Sequence, residues 1–177
     1  MKLENLSEFL NHLNPNKKDF NKSNEAMNSL TLSLKEVKDY LFWDTNGYTR
    51  NLISKTEVYE VYICCWLPGQ SSKLHDLNGQ LGWTKIIDGS LDLTTSSKTE
   101  LSKGNLLSKE SKLNKNDIYV HPKDDELYSL ANNSNKNAIS IHLISLPISF
   151  YNASIGNGSD VEHIRLSFYS INGTIIN

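Results

Sequence analysis

Apolar residues recur at helical spacing in the first forty positions of the chain. One run repeats every three or four residues and ends at Asn14-Pro15: Leu6, Phe9, Leu10 and Leu13. After a polar stretch through Asn24, Ser33 and Glu36 have the spacing of a capping box. They introduce a second apolar stripe: Leu34, Val37, Tyr40 and Leu41. The pattern predicts two N-terminal helices that cover one side of a sheet, and we assign them no chemistry.

From residue 48 onward the pattern changes to short runs typical of strands. Seven segments have strand length or strand alternation: YTRNLIS, EVYEVYICCW, GWTKII, GSLDLTTS, DIYVH, AISIHLISL and HIRLSFYS. Turns rich in Gly, Pro, Asn and Asp separate them. Residues 96–116, rich in Ser, Lys and Asn, are interpreted as a mobile hairpin or excursion. Regularly spaced strands of this kind predict an all-β sandwich or barrel.

Composition limits the possible partners and compartments. The chain has 177 residues, with 18 Lys and Arg against 20 Asp and Glu, so no strong field favours nucleic acid or an anionic membrane. No run approaches the roughly 20 apolar residues of a spanning helix, and MKLENLSEF lacks the apolar run of a signal peptide. Cys64 and Cys65 are adjacent, and neighbouring cysteines seldom pair with each other. We therefore predict a cytoplasmic protein with no nucleic-acid or membrane partner.

The spacing of glycines around His75 resembles a known motif. Gly69, His75, Gly82 and Gly89 fit the first metal motif of cupins, Gly-x5-His-x-His-x4-(Glu or a substitute)-x6-Gly, with Leu77 in place of the second histidine. In that motif the two imidazoles project from one face of a strand. The second cupin motif, His-x3-Asn, has its counterpart in the stretch from Tyr128 to Asn132.

Further residues narrow the resemblance to one family. These stretches, in order, are similar to type I cysteine dioxygenase over roughly residues 40–175: Tyr48-Thr-Arg50-Asn-Leu52, Cys65-Trp66, His75-Asp76, Ser140-Ile-His142 and the closing HIRLSFYS. The resemblance implies a single all-β cupin barrel, that is, a double-stranded β-helix or jelly roll, with N-terminal helices. The predicted organisation is a helical cap at 1–45 and a cupin β-barrel at 46–177, one domain overall.

The resemblance also implies a chemistry and roles for particular residues. The family holds Fe(II) by three histidines and adds O2 to the thiol of cysteine, which gives a sulfinic acid. Arg50 would bind the substrate carboxylate and Tyr48 would line the same pocket. Ser140 and His142 would belong to a relay near the iron, in which Ile144 replaces a tyrosine.

Two of the three positions implied for iron ligands lack histidine. His75 is retained, Leu77 replaces the second ligand, and Tyr128 stands at the third, although a one-residue ambiguity places Leu127 there instead. Fe(II) sites of this type need three protein ligands with open positions for substrate and oxygen. We therefore predict a degenerate site without a metal cofactor, whereas Fe(II) is implied by the resemblance if the protein is active.

Two alternatives for these side chains remain open. A rearranged site would use Tyr128 as a phenolate, with His121 or His142 moving in, although His121 precedes Pro122 and is expected to face solvent. His75 would otherwise be a half-buried histidine bonded to a backbone carbonyl, and His142 a core histidine with its polar atoms satisfied.

Arg50 leads to the functional prediction. Strand alternation places it on one face with Tyr48, and a buried guanidinium is costly unless a carboxylate pairs with it. That carboxylate is either internal, from Glu57 or Glu60, or it belongs to a ligand. We predict a cysteine-dioxygenase-like protein that binds a small carboxylate or thiol amino acid. The alternatives are an active thiol dioxygenase with an atypical ligand set and a purely structural role.

Overall fold

The computed structural model describes residues 2–14, 18–103, 107–121, 125–154 and 161–176. The helices are α1 (Leu6–His12), α2 (Phe20–Ser29), α3 (Leu34–Val37) and α4 (Lys98–Ser102), and a 3₁₀ turn spans Lys38–Tyr40. The first strands are β1 (Thr49–Lys55), β2 (Glu60–Trp66), β3 (Leu81–Asp88), β4 (Ser90–Ser97), β5 (Ser108–Asn114) and β6 (Ile118–His121). The remaining strands are β7 (Glu126–Ala131), β8 (Ala138–Ser145), β9 (Phe150–Ser154), β10 (Val161–Arg165), β11 (Ser170–Ile171) and β12 (Thr174–Ile175).

The strands form two facing layers. One layer is a seven-stranded sheet in the order β12-β11-β1-β2-β8-β3-β6. The other contains a three-stranded sheet, β5-β4-β7, and the hairpin β9-β10. The backbone of His75 forms single bridges to Tyr128 of β7 and Ala153 of β9, so it connects these two smaller sheets.

The expected closed barrel is not formed by the described strands. They divide into three separate hydrogen-bonded sheets, and the two layers meet through side-chain packing. The apolar cluster between the layers draws Tyr62 and Cys64 from β2, Leu91 from β4, and Tyr128 and Leu130 from β7. The prediction of an all-β fold is thus correct, whereas the prediction of a closed barrel is wrong for this part of the chain.

A second apolar cluster fixes the N-terminal helices on the outer face of the seven-stranded sheet. Phe9 and Met27 from the helices pack with Ile63, Ile141 and Trp83 from the sheet. Alternation along β8 separates the two clusters, because odd-numbered residues face the helices and even-numbered residues face the interior. The helices therefore cover one side of the sheet, as the apolar pattern indicates.

Three segments differ from expectation. The polar stretch before residue 24 contains the start of α2, which the apolar pattern did not predict. The second predicted helix is present only as the four residues of α3, and Ser33 makes no side-chain cap there. The excursion at 96–116 contains α4 and β5, and β5 pairs with β4. The segment HIRLSFYS is not one strand, since β10 ends at Arg165 and β11 begins at Ser170. Within the described ranges, no helix is long and apolar enough to cross a membrane.

Candidate functional site

A small cavity lies between the two layers. Its volume is about 30 Å³, which is room for roughly two water molecules at 10–15 Å³ each. Polar side chains from β1, β2, β8 and the segment before Leu77 share its wall with hydrocarbon. The lining residues are Tyr48, Arg50, Tyr62, Cys64, Trp66, Ser72, His75, Leu77, Tyr128, Leu130, His142, Ile148, Tyr151 and Leu166.

The structure brings together most of the residues that the sequence singled out. Tyr48, Arg50, His75, Leu77 and Tyr128 all line this cavity. The single bridge between His75 and β7 places the imidazole against the Tyr128 ring, with 4.3 Å between ring centroids. Positions far apart in the sequence thus share one wall. Of the two residues considered for the third ligand position, Tyr128 lines the cavity and Leu127 is not among its lining residues.

His75 presents one free ring nitrogen to the cavity. Its Nδ1 lies 2.6 Å from the carbonyl oxygen of Lys73, so Nδ1 carries the proton and donates it. Burial lowers the pKa of His75 to about 4, which keeps the ring neutral at physiological pH. The hydrogen bond of the ring to the described residues is made through Nδ1, and Nε2 makes none with them. The lone pair of Nε2 is therefore the one uncommitted imidazole nitrogen on the cavity wall.

His142 is committed to a buried hydrogen-bond chain. Trp66 Nε1 donates to Ser140 Oγ over 2.9 Å, and Ser140 Oγ lies 2.8 Å from His142 Nε2. On the other side of the ring, Nδ1 lies 2.9 Å from Thr84 Oγ1, which is 2.7 Å from His121 Nε2. Ser140 and His142 thus share a hydrogen bond within this buried series.

Counting the available protons shows in which direction the hydrogen bonds of this series are donated. If Ser140 donates to His142, then His142 donates to Thr84 and Thr84 donates to His121, and every link has one donor and one acceptor. The reverse direction would leave the Ser140 hydroxyl proton without an acceptor. In the favoured arrangement the buried N–H at His121 Nδ1 is left without a partner among the residues that the structure describes.

His121 does not face solvent, so that expectation is wrong. It ends β6, opposite Gly82 in the β3–β6 ladder, and its ring turns inward onto Tyr128 at 4.0 Å between centroids. Burial lowers the pKa of His121, and the nearby His142 and His75 lower it further. Sequence reasoning missed the contact with Thr84, because no motif links residues 84 and 121 and only the β3–β6 pairing brings them together.

Arg50 lies in a cage of aromatic rings with an internal carboxylate beside it. Its guanidinium carbon is 4.4 Å from the Tyr62 ring centroid and 4.7 Å from that of Phe168. Nη2 donates to Glu60 Oε1 over 3.4 Å, and Nη1 donates to the Ser167 carbonyl over 3.5 Å. Of the two internal candidates, Glu60 is therefore the partner, whereas Glu57 is exposed. Both hydrogen bonds are long compared with the usual 2.7–3.2 Å.

Arg50 also reaches an open depression on the outside of the molecule. This depression has a volume of about 480 Å³ and is bounded partly by the 164–169 segment. Tyr48, Arg50, Tyr151 and Leu166 line both the depression and the inner cavity. The Arg50 side chain is only 8% exposed, and with Tyr48, Tyr151 and Leu166 it forms the boundary between the depression and the inner cavity.

Comparison with known proteins identifies the family. The sequence profile of cysteine dioxygenase type I matches residues 4–154. The chain belongs to the cysteine dioxygenase type I family. This match covers the helices on the outer face, His75, and the strands that line the cavity up to β9.

Solved structures show the fold of this family member independently. A protein from Thermus thermophilus superposes with a TM-score of 0.52 at 14% identity, over 62% of this chain and 93% of its own. A conserved protein with a double-stranded β-helix domain from Klebsiella pneumoniae has a TM-score of 0.53 and 16% sequence identity. The superposition covers 68% of this chain and 95% of that protein. A sugar phosphate isomerase of the cupin superfamily from Silicibacter pomeroyi has a TM-score of 0.50 and 13% sequence identity. The superposition covers 75% of this chain and 82% of that protein. These similarities confirm the predicted all-β cupin fold.

The residues around the cavity do not fit the Fe(II) that family resemblance implies. Such iron is held by three protein ligands, and the described part of the chain has no group of three His, Cys, Asp or Glu side chains placed to hold a metal. His75 offers one free nitrogen, while both nitrogens of His142 are already bonded. Burial raises the pKa of the Tyr128 phenol, which opposes its use as a phenolate ligand.

Proposed function

We propose that this member of the cysteine dioxygenase type I family has a degenerate metal site and binds a small carboxylate, of the amino-acid kind, at Arg50. The observation that carries this proposal is the position of Arg50, a largely buried residue that lines both the outer depression and the inner cavity. A cationic side chain therefore lies at the boundary of both spaces, whereas the ligands for a metal are incomplete.

The loss of metal chemistry is supported by the composition of the cavity wall. A leucine side chain lies where the resemblance implies a second histidine, and a protonated phenol lies where it implies a third. Hydrocarbon in place of an imidazole also makes the site drier, which disfavours a bound divalent ion. One imidazole alone cannot hold a labile divalent cation against water.

The carboxylate role is supported by the state of Arg50. A guanidinium has five N–H donors, and the hydrogen bonds from Arg50 to Glu60 and to the Ser167 carbonyl are both long. A ligand carboxylate can approach in the bidentate geometry that makes such contacts strong. Because the inner cavity holds only about two waters, binding requires the shared wall of Tyr48, Tyr151 and Leu166 to move, so that the depression and the cavity merge.

Ligand binding is tested by calorimetry or thermal shift on metal-free protein. L-cysteine and propionate carry the carboxylate, whereas cysteamine has the thiol without it. We expect the two carboxylates to stabilise the wild type, by about 2.7 kcal/mol at a hundred times Kd, and cysteamine to have no effect. If none of the three changes the melting temperature, or if cysteamine acts as strongly as cysteine, the carboxylate role is wrong.

The variant for this test must not leave a buried charge unpaired. Arg50→Gln alone would leave the buried charge of Glu60 without its partner. The double variant Arg50→Gln/Glu60→Gln removes both charges together and is expected to lose binding. Arg165→Gln is the matched control, since this exposed arginine also lines the depression. An equal loss in the Arg165 variant would place the ligand on the outer surface instead.

The metal site is tested by restoring the missing ligands. We expect the wild type to purify without stoichiometric iron, and the double variant Leu77→His/Tyr128→His to bind a divalent metal. Metal analysis after reconstitution with Fe(II) gives the occupancy of each protein. Iron near one per chain in the wild type, together with oxygen uptake on cysteine, would instead establish the active dioxygenase. Failure of the double variant to bind any metal would show that positions 77 and 128 are not ligand positions.

A further inference from the structure

Glu60 forms an ion pair with Arg50, where the ligand is proposed to bind, and it is completely buried. It begins β2, where it pairs with Lys55 of β1 on one side and Ile144 of β8 on the other. Alternation along β2 places it on the same face as Tyr62 and Cys64, which line the cavity. Glu60 itself does not line the cavity. Its carboxylate contacts Arg50 from the protein side of the cavity wall.

The groups that face Glu60 compensate its charge only partly. From β1, Arg50 Nη2 lies 3.4 Å from Oε1 and Lys55 Nζ lies 3.6 Å from Oε2. The Tyr62 phenol lies on its own strand, the side chain of Ile144 on β8 is apolar, and a backbone N–H of Ile148 also interacts with the carboxylate. Oε2 has no hydrogen-bond partner in the described part of the chain, although Lys55 is near it. The pKa of Glu60 is raised because of its burial, and the positive charges of Arg50 and Lys55 oppose this shift only in part.

Arg50 and ionised Glu60 together carry no net charge. A ligand carboxylate at Arg50 would add a second negative charge to this buried pair. Lys55 is almost half exposed and makes no hydrogen bond with Oε2, so water screens its contribution. An uncompensated buried negative charge is costly, and uptake of a proton from solvent removes it.

We propose that Glu60 takes up one proton when a small carboxylate binds at Arg50, and that Glu60 thereby sets the pH range over which the site binds its ligand. The inference rests on the proposed function, because it needs a carboxylate at Arg50. In the ligand-free protein the guanidinium is neutralised by Glu60. In the complex it is neutralised by the ligand, and Glu60 is the neutral acid.

Linkage gives the direction of the pH effect. Where the ligand-free protein has Glu60 ionised and the complex has it protonated, affinity falls tenfold for each unit of rising pH. At lower pH, where Glu60 is protonated in both states, affinity is constant. A neutral ligand such as propionamide leaves the charge of the pair unchanged, and its binding is not coupled to protons.

The experiment is titration calorimetry of propionate into metal-free protein, in phosphate and in Tris buffer at pH 7.5, and in MES buffer at pH 5.5. The difference in apparent enthalpy between the two buffers at pH 7.5 gives the number of protons taken up. We expect about one proton per propionate at pH 7.5 for the wild type, since one group changes state. For Glu60→Gln we expect none, with binding at pH 7.5 at least tenfold tighter than in the wild type. Glu57→Gln, an exposed neighbour in the turn between β1 and β2, is the matched control and should behave as the wild type.

The outcomes separate this inference from the function on which it rests. If propionate binds the wild type without proton uptake, and Glu60→Gln binds it equally well, the proton coupling is overturned while carboxylate binding stands. If propionate binds neither the wild type at pH 5.5 nor Glu60→Gln at pH 7.5, both are overturned. Proton uptake that persists in Glu60→Gln would assign the proton to another group and also overturns the inference.

Discussion

Three histidines in the interior are held neutral by burial. The pKa of His75 is lowered to about 4 and that of His142 to about 3, and the pKa of His121 is also lowered. A solvent-exposed histidine in the unfolded chain titrates near 6.5. Because the folded values lie below the unfolded value, the unfolded state binds more protons as the pH falls. These residues therefore contribute stability above about pH 6.5 that is lost on acidification.

This difference predicts an acid-sensitive fold. Between pH 6.5 and pH 4 each such histidine should reduce the free energy of unfolding by about 1.4 kcal/mol per pH unit. The variant His142→Gln removes one titrating group, so its stability should depend on pH less steeply by that amount. Urea denaturation at pH 7, 6 and 5 measures the slope.

A surface histidine provides the control for this prediction. His163 is exposed on β10, so His163→Gln should leave the pH dependence of stability unchanged. A wild-type slope that does not differ from that of His142→Gln would mean that His142 titrates normally in the folded protein.

At the scale of elements, the helix that the sequence missed is well anchored. The sequence of α2, FNKSNEAMNS, is mostly polar and contributes only Ser23, Ala26 and Met27 to the interior. Its N-terminus is capped by Asp19, whose side chain accepts from the Lys22 N–H over 3.0 Å. At its C-terminus, Lys85 Nζ from β3 donates to the carbonyl of Met27 over 3.0 Å. The helix thus depends on a cap and a distant lysine that a search for apolar periodicity does not detect.

Removal of the two candidate N-caps is expected to change the stability of the protein by different amounts. Asp19→Ala removes the acceptor at the start of α2 and should destabilise the protein by about 1 kcal/mol. Ser33→Ala, at the start of α3, should change stability by less than about 0.5 kcal/mol, because Ser33 makes no side-chain cap. Chemical denaturation of the two variants side by side gives the comparison. A loss in Ser33→Ala as large as that in Asp19→Ala would restore the capping box that the sequence suggested.

Strand alternation correctly predicted the direction of some side chains. At the start of β1 it placed Tyr48 and Arg50 on one face, and both line the cavity. The same rule does not apply to the segment around His75, which lies outside the regular strands and touches β7 and β9 at single bridges. Its position follows from long-range backbone hydrogen bonds, which local patterning does not contain.

For the molecule as a whole, the seven-stranded sheet is the shared wall of both apolar clusters. The helices cover its outer face and the second layer covers its inner face. The phenyl ring of Phe20 on α2 packs on the indole of Trp83 at 5.6 Å, and Asn24 accepts a hydrogen bond from the same indole. Loss of the helices would expose the apolar outer face of the sheet.

The helices and the β-structure should therefore unfold together, in keeping with the predicted single domain. Far-UV circular dichroism and tryptophan fluorescence are expected to give coincident denaturation curves. Phe9→Ala, which empties a fully buried site, should shift both curves equally and cost about 3–5 kcal/mol. Two separate transitions, or a shift in the helical signal alone, would show that the helices form an independent unit.

The sequence by itself determined the all-β class, the helical cover, the family and most of the residues that meet at the cavity, because these follow from local alternation and from spacing along the chain. Only the tertiary structure decided that Glu60 pairs with Arg50, that His121 turns inward to Thr84, and that the described sheets stay separate. Each of these depends on which strands are neighbours, and strand neighbours are chosen by packing over the whole molecule.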